Sequence, residues 1–225
     1  MKHLIHVLLL SFILMIVPTH FSNTSSIALT PEEIKAEELR LKEALIRMEI
    51  KKEYEAFYLH LHEISAPCHV QDFFQEIMDE AIATKSLPSI AIAQASIETG
   101  YGRYNKLQNN IFGIKGHGIR VYTHEVYKGK WYKVRANFQY FPTLMDAFER
   151  HSQILERYGA RGYNYEHWID RIRACGYATD PRYGHKVKFV IEKYGLKHLD
   201  RIQWLQNQIP VKKQESCNLD YTFFV

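Results

Sequence analysis

Residues 87–116, LPSIAIAQASIETGYGRYNKLQNNIFGIKG, decide the fold of this chain. Leu87-Pro88 predicts a helix start, because proline at the first helical position gives up only an N–H that has no intrahelical partner. Gly100 predicts the helix end, since glycine adopts the left-handed conformation at low cost. An Asn-Asn pair then leads into a predicted short strand, Phe112–Lys115.

Glu98 is the first candidate catalytic residue of this stretch. It lies in the last turn of the predicted helix, where the negative end of the helix dipole makes a carboxylate hold its proton. A carboxylic acid that stays protonated near neutral pH is what general acid catalysis requires. Glu98 also shares a helix face with small residues and Gln94, and not with other charges. The competing interpretation is an ordinary surface glutamate at a helix end.

The motifs AQASIETGYG and NNIFGIKG resemble the glucosaminidase family of bacterial cell-wall hydrolases, glycoside hydrolase family 73. That family has an Ala-Gln-Ala helix, then Glu-Ser-Gly-Trp-Gly and Asn-Asn-x-Phe-Gly-Ile-Lys. Here Thr99 replaces its serine and Tyr101 its tryptophan, and both changes roughly keep size and polarity. The resemblance covers about Phe73 to Leu199. It implies a lysozyme-like fold, with a cleft between a helical lobe and a β-hairpin lobe.

A second carboxylate, Glu125, lies in the first arm of a predicted hairpin, IRVYTHEVYKGKWYKVRANFQYF, whose turn is Lys128-Gly129-Lys130. It resembles the glutamate that family members carry on their β-lobe. Glycoside hydrolysis usually needs two carboxylates, one as acid and one as base or nucleophile. Glu125 is therefore the second candidate catalytic residue, and a solvated surface carboxylate is the alternative.

Residues 176–183, GYATDPRY, match the family's Tyr-Ala-Thr-Asp-Pro-x-Tyr motif, whose tyrosine lines the cleft. The resemblance makes Tyr177 the third candidate catalytic residue, since a phenol can hydrogen-bond substrate or position water. Tyr183 is a candidate for substrate binding. The family usually has alanine after this tyrosine, where this chain has Gly184. Core packing is the alternative for both tyrosines.

Further candidates for substrate binding are Tyr101, Asn110 and Phe112. Asparagine adopts turn conformations and caps backbone groups, so Asn109 and Asn110 are expected first to shape the wall of the cleft. Aromatic side chains can stack on sugar rings, but a small core needs them equally. The aromatic residues concerned are Tyr101, Tyr104, Trp131 and Tyr140.

Four segments are predicted along the chain: residues 1–28 an export signal, 29–66 a charged spacer helix, 67–200 the catalytic domain and 201–225 a tail. Lys2, the apolar run Leu4–Val17 and the small residues Ser26-Ile27-Ala28 are typical of a cleaved signal peptide, with a retained signal-anchor as the alternative. The spacer either separates the domain from a membrane or packs on it. Either form of the signal places the domain outside the cytoplasm.

Helical periodicity and caps predict further helices on both sides of the hairpin, an α+β architecture with few strands. Thr30, Thr143, Asn164 and Thr179 or Asp180 are the predicted N-caps. The corresponding helices are expected over residues 31–64, 73–82, 143–158, 165–176 and 181–195.

The chain carries a formal charge of +4, although the acidic segment 31–63 has nine acidic and six basic residues. The basic surplus therefore belongs to the rest of the chain and favours an anionic polymer as partner, such as the glycan strands of peptidoglycan. Nucleic acid is not expected, because the basic residues are scattered. Spacing of His and of Cys68, Cys175 and Cys217 predicts no metal site and no cofactor, and the cysteines allow one disulfide at most.

These features and the resemblance predict an exported endo-β-N-acetylglucosaminidase that cleaves peptidoglycan with Glu98 as general acid. Two alternatives keep the fold and change the bond or the product: an N-acetylmuramidase and a lytic transglycosylase. A third is a wall-binding protein that has lost activity. Motifs of serine hydrolases, P-loop proteins and dinucleotide-binding proteins are absent from the sequence.

Overall fold

A computed structural model describes residues 30–104, 107–127, 130–175, 177–178 and 180–209 of the chain. The side chains of residues 124–127 and 131 are outside this description. The predicted export signal, the end of the predicted tail, the hairpin turn at Lys128-Gly129 and the possible cap Thr179 lie outside the described residues as well. The helices are α1 (Pro31–Glu63), α2 (Cys68–Ala83), α3 (Pro88–Thr99), α4 (Leu144–Arg157), α5 (Tyr165–Ala174), α6 (Tyr183–Lys193) and α7 (Lys197–Gln206), and the strands are β1 (Gly118–Tyr127) and β2 (Lys130–Gln139).

The chain separates into two compact units, which divide within α1 after Arg40. In the first unit, the described residues form the start of α1. The Thr30 hydroxyl accepts the Glu33 N–H at 3.3 Å, and the Glu33 carboxylate accepts the Thr30 N–H at 2.7 Å. This reciprocal pair satisfies two donors at a helix start, which confirms the predicted cap.

The second unit begins with the remainder of α1. Phe57 and Leu61 are almost completely buried there, and the ring of Phe57 contacts that of Phe74 in α2. The Glu53 carboxylate lies 2.7 Å from a ring nitrogen of His198 in α7. Of the two arrangements that the sequence left open, this part of α1 packs on the domain.

Helix α3 is the centre of the second unit. Every residue from Pro88 to Ser96 is buried, and α3 packs against α2, α4, α5, α6 and α7. A helix buried on all sides needs small or apolar side chains all round, which explains the alanine-rich sequence. Gly100 ends the helix with φ of +58°, and its N–H donates to the Ser96 carbonyl. The predicted bounds of this helix are confirmed.

The two strands form an antiparallel hairpin with the register Gly118–Gln139 through Tyr127–Lys130. The predicted hairpin is therefore confirmed. Phe138 of β2 is buried and forms an isolated bridge with Lys115. The hairpin and the helices together give the predicted α+β fold, mostly helical with a small two-stranded sheet.

The predicted strand Phe112–Lys115 is wrong. Gly113 has φ of +62°, which strand geometry does not allow, and the segment forms turns with one bridge, at Lys115. Backbone bonds join it to β2, from the Gln139 N–H to the Ile114 carbonyl at 2.9 Å and from the Gly116 N–H to the Asn137 carbonyl at 3.2 Å, and the Asn110 side chain adds further bonds. Its amide donates to the carbonyls of Ile114 and Gln139 at 2.9 and 2.8 Å, and its oxygen accepts the Ile114 N–H at 2.8 Å. Such side-chain bonds compete with regular strand pairing.

The predicted caps of α4 and α5 are confirmed. Thr143 and Asp146 exchange hydrogen bonds at the start of α4, and Asn164 accepts two backbone N–H groups of α5. Helix α6 begins at Tyr183, two residues later than predicted. The Asp180 carboxylate nevertheless accepts the Arg182 N–H at 2.8 Å in the turn before it.

Helix α7 was not predicted, because the sequence pattern after Gly195 gave no clear cap. Its residues Leu199, Ile202 and Leu205 are buried. Cys68 and Cys175 are exposed and form no disulfide within the described residues. None of the described helices is both long and apolar enough to span a membrane.

Candidate active site

Glu98 projects from the last turn of α3 and keeps more than a third of its surface exposed to solvent. Its carboxyl group is nevertheless crowded by protein atoms. This loss of water raises the pKa of Glu98, while a hydrogen bond from Tyr183 and the charge of Lys186 partly oppose the rise. The side chain is thus reachable by a ligand, and its carboxyl group holds a proton to higher pH than an ordinary glutamate does.

Two predicted tyrosines lie beside this carboxyl group. The Tyr183 hydroxyl donates to Glu98 Oε1 at 3.4 Å, a long hydrogen bond of the kind that shortens when substrate closes a site. The ring of Tyr177 lies 5.9 Å from that of Tyr183, centre to centre. Burial and the nearby Glu98 charge raise the pKa of both phenols, so both stay protonated. The structure therefore brings Glu98, Tyr177 and Tyr183 together.

Gln94 and His151 extend this group by hydrogen bonds, and sequence reasoning did not single them out as functional. The Gln94 amide nitrogen lies 3.1 Å from the Tyr183 hydroxyl, and the Gln94 oxygen lies 3.0 Å from His151 Nε2. Gln94 and His151 are completely buried. Gln94 could be placed on the same helix face as Glu98 from the sequence. No local pattern indicates a role for His151, because its partner Gln94 lies 57 positions away in the chain.

Burial lowers the pKa of His151 to about 3, so the imidazole stays neutral at every pH at which the protein is expected to work. The Phe112 ring stacks on it, with centroids 3.9 Å apart and planes inclined by 9°. Tyr177 meets the same imidazole edge to face at 6.4 Å. His151 is thus held between aromatic rings and acts as a fixed dipole.

The loop after α3 forms the other side of the site. A Cβ atom at Gly113 would lie 4.0 Å from Glu98 Oε2, so the turn passes close to the carboxyl group. Asn110 is 2% exposed and Phe112 is 4% exposed. Their contacts give both residues a structural role in holding this turn and the His151 ring. That they also bind substrate stays a prediction, which their burial does not favour.

Glu125 lies in β1 opposite Tyr132, but its side chain is outside the described part of the chain. Its catalytic role therefore stays a prediction, as does any role for Trp131. Tyr101 packs edge-on against Phe74 and Tyr194, which is a core contact. Among the predicted sugar-stacking residues, Tyr104 and Tyr140 expose most of their surface, at 67% and 52%.

Basic residues of α6 and the turn before it line a cavity beside α3, and one of them, Lys186, acts on the charge of Glu98. A cavity of about 550 Å³ next to α3 is lined by Ile97, Arg182, His185, Lys186, Phe189 and Val190. Lys186 and Arg182 also pair with Asp180, so part of their charge is compensated. Among the described residues, no group of three or more His, Cys, Asp or Glu is arranged to hold a metal ion.

Comparison with known proteins adds a family match to this geometry. A family model described as glucosaminidase, mannosyl-glycoprotein endo-beta-N-acetylglucosaminidase, matches residues 74–196. The exo-glucosaminidase LytG of Bacillus subtilis is 35% identical over 132 residues, which cover 52% of this chain and 47% of LytG. A probable N-acetylmuramidase of Lactococcus lactis is 29% identical over 133 residues, covering 50% of this chain and 30% of that protein. The chain thus spans less than half the length of each relative.

A solved structure agrees with the sequence relatives. The catalytic domain of the autolysin Auto from Listeria monocytogenes superposes with a TM-score of 0.52 at 28% identity, over 60% of this chain and 89% of that domain. The segment that the family model matches, residues 74–196, contains α3, the hairpin, Tyr177 and Tyr183. Every described residue around Glu98 lies inside residues 74–196.

Proposed function

Because this chain belongs to the glucosaminidase family of glycoside hydrolases, we propose that it cleaves the glycan strands of peptidoglycan as an endo-β-N-acetylglucosaminidase. The observation that carries the proposal is Glu98, an exposed residue at the end of the central helix whose carboxyl pKa is raised because protein atoms crowd that group. The basic surplus of the chain outside residues 31–63 suits an anionic wall polymer. The substrate is the repeating disaccharide of the wall, cut after N-acetylglucosamine.

In the proposed reaction, Glu98 gives its proton to the glycosidic oxygen as the bond to the sugar breaks. The sugar then develops oxocarbenium character, and the glutamate that remains is ionised. The Tyr183 hydroxyl lies within reach of that carboxylate and stabilises it. Since the pKa of Tyr183 is raised, this phenol donates a hydrogen bond and does not itself lose a proton.

Three groups are candidates for meeting the oxocarbenium-like centre: Glu125, Tyr177 and the 2-acetamido group of the substrate. The raised pKa of Tyr177 limits it to orienting a water molecule, because a neutral phenol is a poor base. Glu125 would act as a base or nucleophile. Variants that remove each carboxylate and phenol singly assign these roles.

The first test compares Glu98→Gln with Glu76→Gln, an exposed glutamate of α2, on purified peptidoglycan. We expect Glu98→Gln to release soluble fragments at least about a hundredfold more slowly and Glu76→Gln to match the unmodified protein. Mass spectrometry after borohydride reduction identifies the new reducing end. Reduced N-acetylglucosamine supports the proposal, and undiminished lysis by Glu98→Gln contradicts a role for this carboxyl group.

The second candidate function is an N-acetylmuramidase, which the similarity to the Lactococcus protein favours. It predicts reduced N-acetylmuramic acid in the same experiment, and a lytic transglycosylase predicts an anhydro sugar. Either product overturns the glucosaminidase assignment and leaves Glu98 as the acid. Wall binding without any product supports the non-catalytic alternative.

We further propose that the protein acts in the cell envelope after export directed by residues 1–28. The proposal rests on the sequence of that segment and on the wall substrate. Fractionation of producing cells, followed by N-terminal sequencing of the envelope and medium fractions, tests it. A mature N-terminus near residue 29 supports cleavage, Met1 in the membrane fraction supports an anchor, and recovery only from the cytoplasm contradicts export.

A further inference from the structure

A chain of buried polar side chains runs from α4 through α3 and α6 to Glu98. His151 Nε2 contacts Gln94 Oε1 at 3.0 Å, Gln94 Nε2 contacts the Tyr183 hydroxyl at 3.1 Å, and that hydroxyl contacts Glu98 Oε1 at 3.4 Å. The first three residues are shielded from solvent, with Tyr183 only 7% exposed. Four side chains from three helices thus meet end to end.

The direction of these hydrogen bonds follows from the His151 ring. Its Nδ1 atom is buried and has no hydrogen-bond partner within the described residues. A proton on Nδ1 would be an unpaired buried donor, which is rarer and costlier than an unpaired acceptor. The neutral imidazole therefore carries its proton on Nε2 and donates it to Gln94.

That choice fixes the next two bonds. Because Gln94 Oε1 accepts from His151, the other end of the amide, Nε2–H, faces Tyr183 and donates to its oxygen. The single phenolic proton of Tyr183 is then left for Glu98 Oε1. If Gln94 turned its oxygen toward Tyr183, the phenolic proton would point away from the carboxylate.

We propose that His151 and Gln94 are positioning residues that orient the Tyr183 proton toward Glu98 and so set the acidity of the catalytic carboxyl group. This inference rests on the proposed function of Glu98 as general acid. The pair acts through Tyr183 and touches no substrate. Without His151, Gln94 can turn its oxygen to the Tyr183 hydroxyl, and without Gln94 that hydroxyl rotates freely. In either case the ionised form of Glu98 loses a donor.

The other groups that act on Glu98 do not depend on this chain of bonds. Within the described residues they are Lys186 of α6, whose charge stabilises the carboxylate, and Tyr177, which stays neutral. Loss of the His151–Gln94 pair should therefore raise the pKa of Glu98, because only a stabilising donor is removed. A weaker acid transfers its proton less readily, so turnover should fall.

The deciding experiment is an NMR titration of the Glu98 carboxyl carbon in five proteins, each checked by circular dichroism. His151→Phe keeps a ring against Phe112 and removes the donor, His151→Gln restores a donor near the Nε2 position, and Gln94→Leu removes the link. Ser152→Ala is the matched control. Ser152 is the neighbouring buried residue of α4, and its hydroxyl has no hydrogen-bond partner in the described part of the chain.

We expect the Glu98 midpoint to rise by about half a pH unit in His151→Phe and Gln94→Leu, the size of a long hydrogen bond to an ionised group. His151→Gln and Ser152→Ala should titrate like the unmodified protein. In peptidoglycan digestion, the two disruptive variants should lose no more than about threefold in kcat with little change in KM, because a shift of about half a pH unit changes the rate of proton transfer by no more than that. The basic limb of their pH–rate profile should move to higher pH. A structural defect alone would lower kcat without moving the basic limb of the pH–rate profile.

A second measurement needs no variant and no activity. The ¹⁵N shifts of the His151 imidazole in the unmodified protein report which nitrogen carries the proton. A proton on Nε2 supports the inference, and a proton on Nδ1 overturns it. So does an unchanged Glu98 midpoint in both disruptive variants. If the Glu98 midpoints shift as expected but the unmodified protein does not digest peptidoglycan, the result counts against the proposed function and not against this inference.

Discussion

A carboxyl group lies at each end of α3, and crowding by protein atoms raises the pKa of both. The two groups differ in exposure and in the hydrogen bonds that they accept. At the N-terminal end, Asp200 of α7 is 6% exposed, and burial raises its pKa to about 7. It accepts the backbone N–H of Ser89 at 2.8 Å and the Ser89 hydroxyl at 2.7 Å. At the C-terminal end, Glu98 is exposed and accepts one long bond from Tyr183.

The helix dipole adds to this difference. Asp200 lies at the positive end of α3 and serves as its cap from another helix, whereas Glu98 lies at the negative end, where no such stabilisation exists. Gln203, one turn after Asp200, places its amide within 3.2 Å of the carbonyls of Ile82, Thr84 and Ser86. A carboxyl group with filled hydrogen-bonding positions stabilises the fold, and one with open positions remains available to a substrate.

The largest expected effect separates the two ends by activity. Glu98→Gln should lower kcat on peptidoglycan by about 10²- to 10⁴-fold, the usual contribution of a general acid. Its free energy of unfolding should stay within about 0.5 kcal/mol of the unmodified protein, because the side chain makes one long bond. Kinetics and urea unfolding of the same preparation measure both. A clear loss of stability would show that Glu98 is as structural as Asp200.

The next expected effect is a loss of stability without a loss of activity. Asp200→Ala leaves the Ser89 N–H and hydroxyl buried without an acceptor, so we expect a loss of about 2–4 kcal/mol in stability. For a domain of this size that lowers Tm by roughly 2–4 °C for each kcal/mol. Activity per folded molecule, measured well below Tm, should be retained. A Tm equal to that of the unmodified protein would contradict a structural role for Asp200.

The pH dependence of stability tests the structural role of Asp200 further. Since the folded pKa of Asp200 is raised to about 7 and an unfolded aspartate titrates near about 4, the folded state binds more protons between these values. The stability that Asp200 contributes is therefore complete below about pH 4 and declines as the pH rises to about 7. Thermal unfolding across this range should show the decline in the unmodified protein. Asp200→Asn should flatten it, and parallel curves would contradict the raised pKa.

The smallest effect concerns the turn beside Glu98. Gly113→Ala places a side chain at φ of +62° and should cost about 1 kcal/mol through backbone strain. The new Cβ at 4.0 Å from Glu98 Oε2 is an ordinary contact, so kcat should change by less than about threefold. Urea unfolding and initial rates test this. A large loss of activity at unchanged stability would make the turn part of the catalytic apparatus.

Local chemistry explains which parts of this structure the sequence predicted. The ends of α3 depend on a proline and a glycine, and the start of α4 depends on Thr143 and Asp146, which are three positions apart. Such signals act within one turn of chain and need no tertiary contact. Glu98 was found for the same reason, because its position at a helix end is a local property.

Other features needed contacts between distant segments. Asp200 caps α3 from 111 positions away, and His151 meets Gln94 across 57, so no local pattern reveals either pair. The predicted strand at Phe112–Lys115 is wrong because Gly113 adopts a positive φ and the Asn110 amide bonds to the carbonyls of Ile114 and of Gln139, which lies 29 positions away. Helix α7 was missed because its start lacks a side-chain cap, and its apolar face makes sense only against α2 and α3.

The burial of α3 on every side has a consequence for hydrogen exchange. Amides in the middle of a helix enclosed by five others can exchange with deuterium only when the whole domain opens. We therefore expect residues 92–96 to be the last to exchange, while the amides of β1 and β2, which form a two-stranded sheet, exchange earlier through local opening. Glu98 is thus tethered to the part of the backbone that fluctuates least, and its position should persist on heating until cooperative unfolding begins.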